Sequence, residues 1–243
     1  MVSNIFENPW HFAKSGNEMA DAKKKSSGTL AGDAYTLIHE AIRAGRFRPG
    51  DRLRFAELQA LCGMSVTPVR EALARLTAEG FTTLDNHKGY SVASLSLDEL
   101  RDITAMRKLC ESEALRLSIL HGDDGWESRI IAAHHLMARL PRQRDDIPSV
   151  VRDDWDERHA AFHQALISAC RSPILLEICE KLFTRADRYR RVSISVDLTR
   201  DVAAEHRMIM DRTLARDPEG AVEALCCHYQ ETANSLEQVL QAM

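Results

Sequence analysis

No run of 18 apolar residues occurs in the sequence, so nothing in it is built to cross a bilayer as a helix. The first 28 residues hold Trp10, Phe12 and Lys23-Lys24-Lys25 but no contiguous apolar stretch, which excludes a signal peptide and leads us to expect a cytoplasmic protein. Aromatic residues make up only 6% of the chain and long β-branched runs are scarce, so the fold leans helical. The six cysteines, at 62, 110, 170, 179, 226 and 227, contain no Cys-x-x-Cys spacing and lie mostly in apolar stretches. That pattern points to reduced, buried thiols and not to a disulfide framework. His-Glu-x-x-His, Gly-x-Ser-x-Gly and P-loop patterns are all missing, which removes the familiar signatures of hydrolytic and nucleotide chemistry. A net charge of −4 does not advertise a nucleic-acid partner, so any such role has to be found in local pattern.

With 243 residues the chain has room for two modest domains. Residues 1–28 are polar and aperiodic, a mobile tail whose lysines either touch phosphate or serve as a solvated linker. From 29 to 95 the signals change quickly. Tyr35, Ile38 and Ile42 recur at helical spacing up to a stop at Gly45, Arg48-Pro49-Gly50-Asp51 is a turn, and a short helix covers Ala56–Cys62. A third helix opens near Ser65 or Thr67, with Pro68 in its first turn, and ends at Gly80. Phe81–Leu84 and Tyr90–Ala93 read as two short strands around a turn-rich tip at 85–89. From 96 to 243 the pattern is helical throughout, with helices near 97–121, 125–140, 148–170, 172–192, 198–216 and 218–241. The expected fold class is therefore mainly α: an N-terminal winged helix-turn-helix over 29–95, and a C-terminal antiparallel bundle of about six helices over 96–243.

The third helix carries the clearest chemistry. Val69, Leu73 and Leu76 form one buried stripe, while Ser65, Val66, Thr67 and Arg70 cluster at the helix start and face outward. A recognition helix reads bases with its first residues, so Arg70 is the candidate for guanine, and Ser65, Thr67 and the helix amides suit phosphate. Spacing alone also fits a scaffold hairpin. At the proposed wing tip Asn86, His87 and Lys88 either reach the minor groove and backbone or form a plain solvated turn.

Three stretches decide between these readings: Gly45-Arg46-Phe47-Arg48-Pro49-Gly50-Asp51-Arg52-Leu53, Thr67-Pro68-Val69-Arg70-Glu71-Ala72-Leu73 and Glu79-Gly80-Phe81. In this order they resemble the signature of the GntR family of bacterial regulators, over about 65 residues. The resemblance implies a transcription regulator, and specifically a homodimer on a palindromic double-stranded operator. Val66 and Ala56 stand where family members often carry DNA-contacting arginines, leaving Arg70, with Arg52 and Arg54 compensating through phosphate. Residues 29–95 hold eight Lys or Arg against seven Asp or Glu, so non-specific affinity should be modest and depend on the dimer.

Ten histidines are many for this length, and four of them make a pattern. His159 and His163, four residues apart, project from one helix face. His206 and His228 flank the Asp217-Pro218 turn, so in an antiparallel hairpin they meet at one level, about 16 Å along the axis. Such convergence suits a divalent transition metal, although an isolated His pair is also an ordinary surface feature. His134 and His135 are adjacent, point to different faces, and read as structural.

Met106-Arg107-xxx-Glu111, Phe162-His163-xx-Leu166, Glu205-His206 and Ala224-xxx-His228 resemble the FCD ligand-binding domain of the FadR subfamily. Its metal-binding members use an aspartate four residues before the Phe-His histidine, that histidine, and two later ones. Here the aspartate position is His159, so the resemblance implies a site of His159, His163, His206 and His228. Four neutral imidazoles leave a dication its full +2 and favour Zn, or Ni, over harder ions. The stretch 157–170 followed by Asp187-Arg-Tyr-Arg-Arg191 resembles most the CsiR-like regulators, which implies a small carboxylate effector such as glutarate or a related hydroxy or dicarboxylic acid. Arg107, Arg188 and Arg190 are candidate carboxylate clamps, Arg107 foremost through the family motif. The competing expectation, a metal-dependent hydrolase or lyase with an accessory helix-turn-helix, lacks a placed general base in the sequence.

Overall fold

The computed structural model describes residues 28–142, 152–192 and 200–242. The tail expected over 1–28 therefore lies outside the described residues except for Gly28. The first half contains α1 (Leu30–Arg43), α2 (Phe55–Cys62), α3 (Val66–Ala78) and strands β1 (Thr82–Asp85) and β2 (Gly89–Val92). The Thr29 hydroxyl caps α1 by accepting from the Gly32 amide. Gly63, at φ +65°, ends α2 in the left-handed region and turns the chain directly into α3. Ile38, Leu58, Val69, Leu73 and Leu76 are wholly buried against one another, and Phe81 and Val92 close the same core. Each of these large side chains contributes about 1.5–3 kcal/mol by leaving water.

The wing is an antiparallel pair with Thr82 opposite Val92 and Asp85 opposite Gly89. Its tip is fixed by Asp85, whose Oδ1 accepts from the amides of His87 and Lys88. β1 starts one residue later than the alternation implied. The Phe81 amide is spent on the Leu76 carbonyl, closing α3 through Gly80 at φ +82°, so it has left the ladder. An isolated bridge from Arg52 to Ser91 lays the segment after the α1 turn along the wing.

The second half contains α4 (Leu97–His121), α5 (Asp124–Ala138), α6 (Asp153–Ile167), α7 (Pro173–Val192), α8 (Val202–Leu214) and α9 (Pro218–Ala242). Ser96, Asp123 and Asp201 cap α4, α5 and α8 through side-chain oxygens. α4 packs on α7 and α9, α5 on α6 and α8, and α8 on α9. Trp126, Phe162, Leu166, Ile209 and Leu225 form the wholly buried centre. The expected helices at 148–170 and 198–216 are shorter: α6 ends at Ile167, before Arg171 at φ +59°, and α8 begins only after its cap at Asp201. Residues 148–151 and 198–199 lie outside the described residues. All six cysteines are free thiols, with Cys227 exposed.

Candidate functional site

On the first half, Ser65, Val66, Thr67 and Arg70 are exposed at the start of α3, and Arg52, Arg54, His87 and Lys88 are exposed beside them in sequence or on the wing. The Arg70 guanidinium lies 5.4 Å from the centre of the Phe55 ring, which steadies it at the mouth of the α2–α3 turn. Among the described residues Arg52, Arg54 and Arg70 enter no salt bridge, in contrast to Arg43 and Arg75. Their charge remains available to a phosphate or base edge.

In the bundle, α6 supplies His159 and His163, α8 supplies His206 and α9 supplies His228. All four are buried, and one ligand nitrogen of each lies within 4.8 Å of the others. The Nε2 atoms of His159 and His163 are 3.1 Å apart. Tetrahedral coordination with metal–nitrogen bonds of about 2.0–2.1 Å separates ligand nitrogens by roughly 3.3 Å, so the donor set fits a Zn-like ion. Trp155 stacks on the His159 ring at 4.8 Å and fixes its plane.

Two glutamates set the ring orientations. Glu205 Oε2 lies 2.7 Å from His228 Nδ1 and takes its proton as a hydrogen bond, leaving Nε2 for an ion. Arg200 grips the same carboxylate, with Nε 2.6 Å from Oε1, and donates to the His228 carbonyl at 2.8 Å. Burial alone would raise the Glu205 carboxyl, but the hydrogen bonds from His228 and Arg200 outweigh it and hold it at about 2. Burial pushes His228 down to about 4, against the opposing pull of Glu205, so the imidazole is neutral. On the other side Tyr229 donates to Glu111, and its hydroxyl lies 3.3 Å from His163 Nδ1. A hydroxyl that donates to the carboxylate accepts from His163, which leaves the His163 Nε2 to the centre. Glu111 is held by Arg107 at 2.7 Å, and the Arg107 guanidinium stacks 3.9 Å over the Tyr229 ring.

A cavity of about 50 Å³ opens beside this cluster, lined by Arg107, Arg142, Arg200, His159, His163 and His228 together with Phe183, Asp187 and Tyr229. His206 sits behind that wall at 1% exposure. Of the three arginines singled out in the sequence, Arg107 lines the cavity. Arg188 does not. Its guanidinium is engaged with Glu99 at 2.9 Å and with the Gly80 carbonyl, which makes it a brace between the two halves. The side chain of Arg190 lies outside the described residues. Sequence reasoning missed Arg142 and Arg200 as wall residues, and did not assign roles to Glu111, Glu205 and Tyr229. Glu111 stands four residues after Arg107 and Glu205 directly before His206, so both sat within reach of the motifs already noted. His134 is buried edge-on to Phe162 and contributes to packing. The two carboxylates bonded into the cluster, Glu111 and Glu205, are each tied to an arginine and to a ring hydroxyl or imidazole, which is an orienting role and not that of a free base.

Residues 30–92 match the model of the bacterial regulatory proteins of the gntR family, and residues 102–231 match the FCD domain. The HTH-type transcriptional repressor GlaR of Escherichia coli K12 is 36% identical over 213 residues, covering 86% of this chain and 96% of that protein. The uncharacterized HTH-type transcriptional regulator BphR of Paraburkholderia xenovorans is 34% identical, covering 84% of each. The solved structure of E. coli McbR/YncC shares the fold with a TM-score of 0.69 at 21% identity, covering 87% of this chain and 98% of that one. The chain belongs to the GntR family, as a DNA-binding transcription regulator with an FCD domain and not as an enzyme.

Proposed function

We propose that this regulator is a repressor whose grip on a palindromic operator is set by a small carboxylate bound at a divalent metal, Zn or Ni, in the FCD cavity. The observation that carries the reading is the buried set of four histidines, three of which line a cavity that also presents Arg107, Arg142 and Arg200. When bound, the ion would supply an uncompensated +2 charge, and a carboxylate oxygen would add to it by expanding the coordination beyond the four imidazoles. Arg107 and Arg200 each already carry a glutamate, so the ion and not a guanidinium dominates the attraction for an anion. The cavity of about 50 Å³ has room for a few waters, each of which needs about 10–15 Å³, and this favours a short acid, glutarate or smaller, over a long chain.

The sensing half is read as a homodimer. α4 and α7, which pack together, expose Leu109 and Ile174 at 66% and 74%, and also Met106, Leu120 and Ile178. Apolar side chains grouped in this way suit an interface between two copies. On DNA, Arg70 reads a base edge, Ser65 and Thr67 with the α3 amides hold phosphate, and Arg52, Arg54, His87 and Lys88 add backbone contacts. The test is a gel shift of the protein's own promoter fragment with chelated and Zn-loaded protein, titrated with glutarate and its shorter and hydroxylated relatives. The expected result is a Zn-dependent change in affinity with one of these acids, given by a dimeric species in size exclusion. A strict monomer, or affinity indifferent to both metal and acid, overturns it.

A further inference from the structure

Two contacts of opposite character join the DNA-reading half to the bundle. Arg188 is the tight one, held by Glu99 and the Gly80 carbonyl at the end of the α3 cap. The other is Arg43, in the last turn of α1, whose Nη2 lies 3.9 Å from Asp156 Oδ2 and whose Nε lies 3.8 Å from Asp187 Oδ2. These distances exceed those of charge-assisted hydrogen bonds, about 2.7–2.9 Å. The Arg43 Nε is buried and makes no hydrogen bond. One turn earlier His39 stacks on Tyr35 and edge-on to Phe81, and its buried Nε2 makes none either.

The two carboxylates that face Arg43 adjoin the histidine cavity. Asp156 stands on α6 one turn ahead of His159, and its side chain is 3% exposed. Asp187 is part of the cavity wall. One cation is thus shared between the helix that bears two of the four histidines and the wall against which an effector would rest. A cation that no hydrogen bond fixes to either carboxylate responds to small movements of both, because its energy follows its distance from each. α1 packs directly on α3, whose first turns present Arg70. A shift of α6 or of Asp187 therefore reaches the reading helix through one side chain.

We propose that Arg43 is the coupling residue of this regulator, carrying the state of the histidine cavity to the DNA-reading half through Asp156 and Asp187. The proposal rests on the cavity being the metal and effector site, and its test separates the two. Hydrogen–deuterium exchange of the full chain is followed in α1 and α6, first with chelator and then with Zn²⁺ alone, while calorimetry measures Zn²⁺ binding. In chelated protein Arg43→Gln is expected to speed exchange in α6 around His159 by about 5-fold, because coupling between sites is reciprocal. Asp187→Asn, which approaches the contact from the other side, is expected to do the same in the last turns of α1. With Zn²⁺, exchange in wild-type α1 is expected to change by about 5-fold and that response to collapse in Arg43→Gln, with Zn²⁺ affinity kept. Unchanged exchange in both chelated variants, or a full α1 response to Zn²⁺ in Arg43→Gln, overturns the coupling. A wild-type chain that takes up no Zn²⁺ refutes the metal reading instead, and the chelated comparison still decides whether Arg43 links the halves.

Discussion

Glu205→Gln is the substitution that most sharply tests how the histidine centre is built. The amide keeps the size and leaves an oxygen able to accept from His228 Nδ1, now 2.7 Å from the carboxylate, so the ring need not turn. What disappears is the negative charge that raises the basicity of the imidazole and satisfies Arg200 on two oxygens. Arg200 Nη2 already lies 3.3 Å from His228 Nδ1, and without its carboxylate that cation acts on the ring unopposed. Loss of an orienting partner behind a metal-binding histidine costs about 10–100-fold in affinity, or roughly 1.4–2.8 kcal/mol. The upper end is expected here, since one change both weakens the ligand and uncovers a like charge. Competition for Zn²⁺ against a chromophoric chelator measures the loss, and Arg200→Gln combined with Glu205→Gln should restore part of it. Affinity within about 2-fold of wild type for Glu205→Gln would refute the orienting role of Glu205.

Three further outcomes are expected. Arg70→Ala should lose about 1–3 kcal/mol of discrimination at one base pair of each half-site, whereas Lys88→Ala should weaken binding to all sequences and lower the salt slope by about 1; a binding series on point-substituted operators at several salt concentrations tells them apart. Leu73→Ala, wholly buried between α1 and α3, should destabilise the first half by about 2–5 kcal/mol, read as a lower urea midpoint for signals from that half alone. His39 is held neutral by burial, with Arg43 adding to the effect, and its value falls from 6.5 to about 4. Between those limits the unfolded chain binds a proton that the folded chain refuses, so stability falls as pH drops from 6.5 towards 4, by ~3 kcal/mol at most. Thermal unfolding across that range should show the loss in wild type and a shallower one in His39→Gln; equal slopes would contradict it.

Much of the fold was legible because its signals are local. The Gly63 and Gly80 stops, Pro68 in the first turn of α3 and the Val69, Leu73, Leu76 stripe each belong to one element, and the helices follow them within a few residues. The convergence of the histidines was also readable, since His206 and His228 are set level by their equal distance from the turn at Asp217-Pro218. The partners behind them were not. Glu111 on α4 reaches His163 through Tyr229 on α9, and Arg200, just ahead of α8, meets His228; no spacing along the chain records which of several charged residues turns inward. Arg188 shows the same limit from the other side: on α7 it reads as one more candidate clamp, and only the closeness of Glu99 and the α3 cap reveals that its charge is already committed.

The histidines come from α6, α8 and α9, and the chain between them loops out from His163 to His206 and again from His206 to His228. An ion gripping all of them closes both loops at once, as a disulfide would, in a protein whose six cysteines are all free. Closing loops of this kind removes entropy from the unfolded chain and not from the folded one. On the proposed metal reading, the second half would carry a removable cross-link, tightening or slackening as the ion comes and goes, and the winged half, which contributes none of the four histidines, would feel it only through side chains such as Arg43 and Arg188.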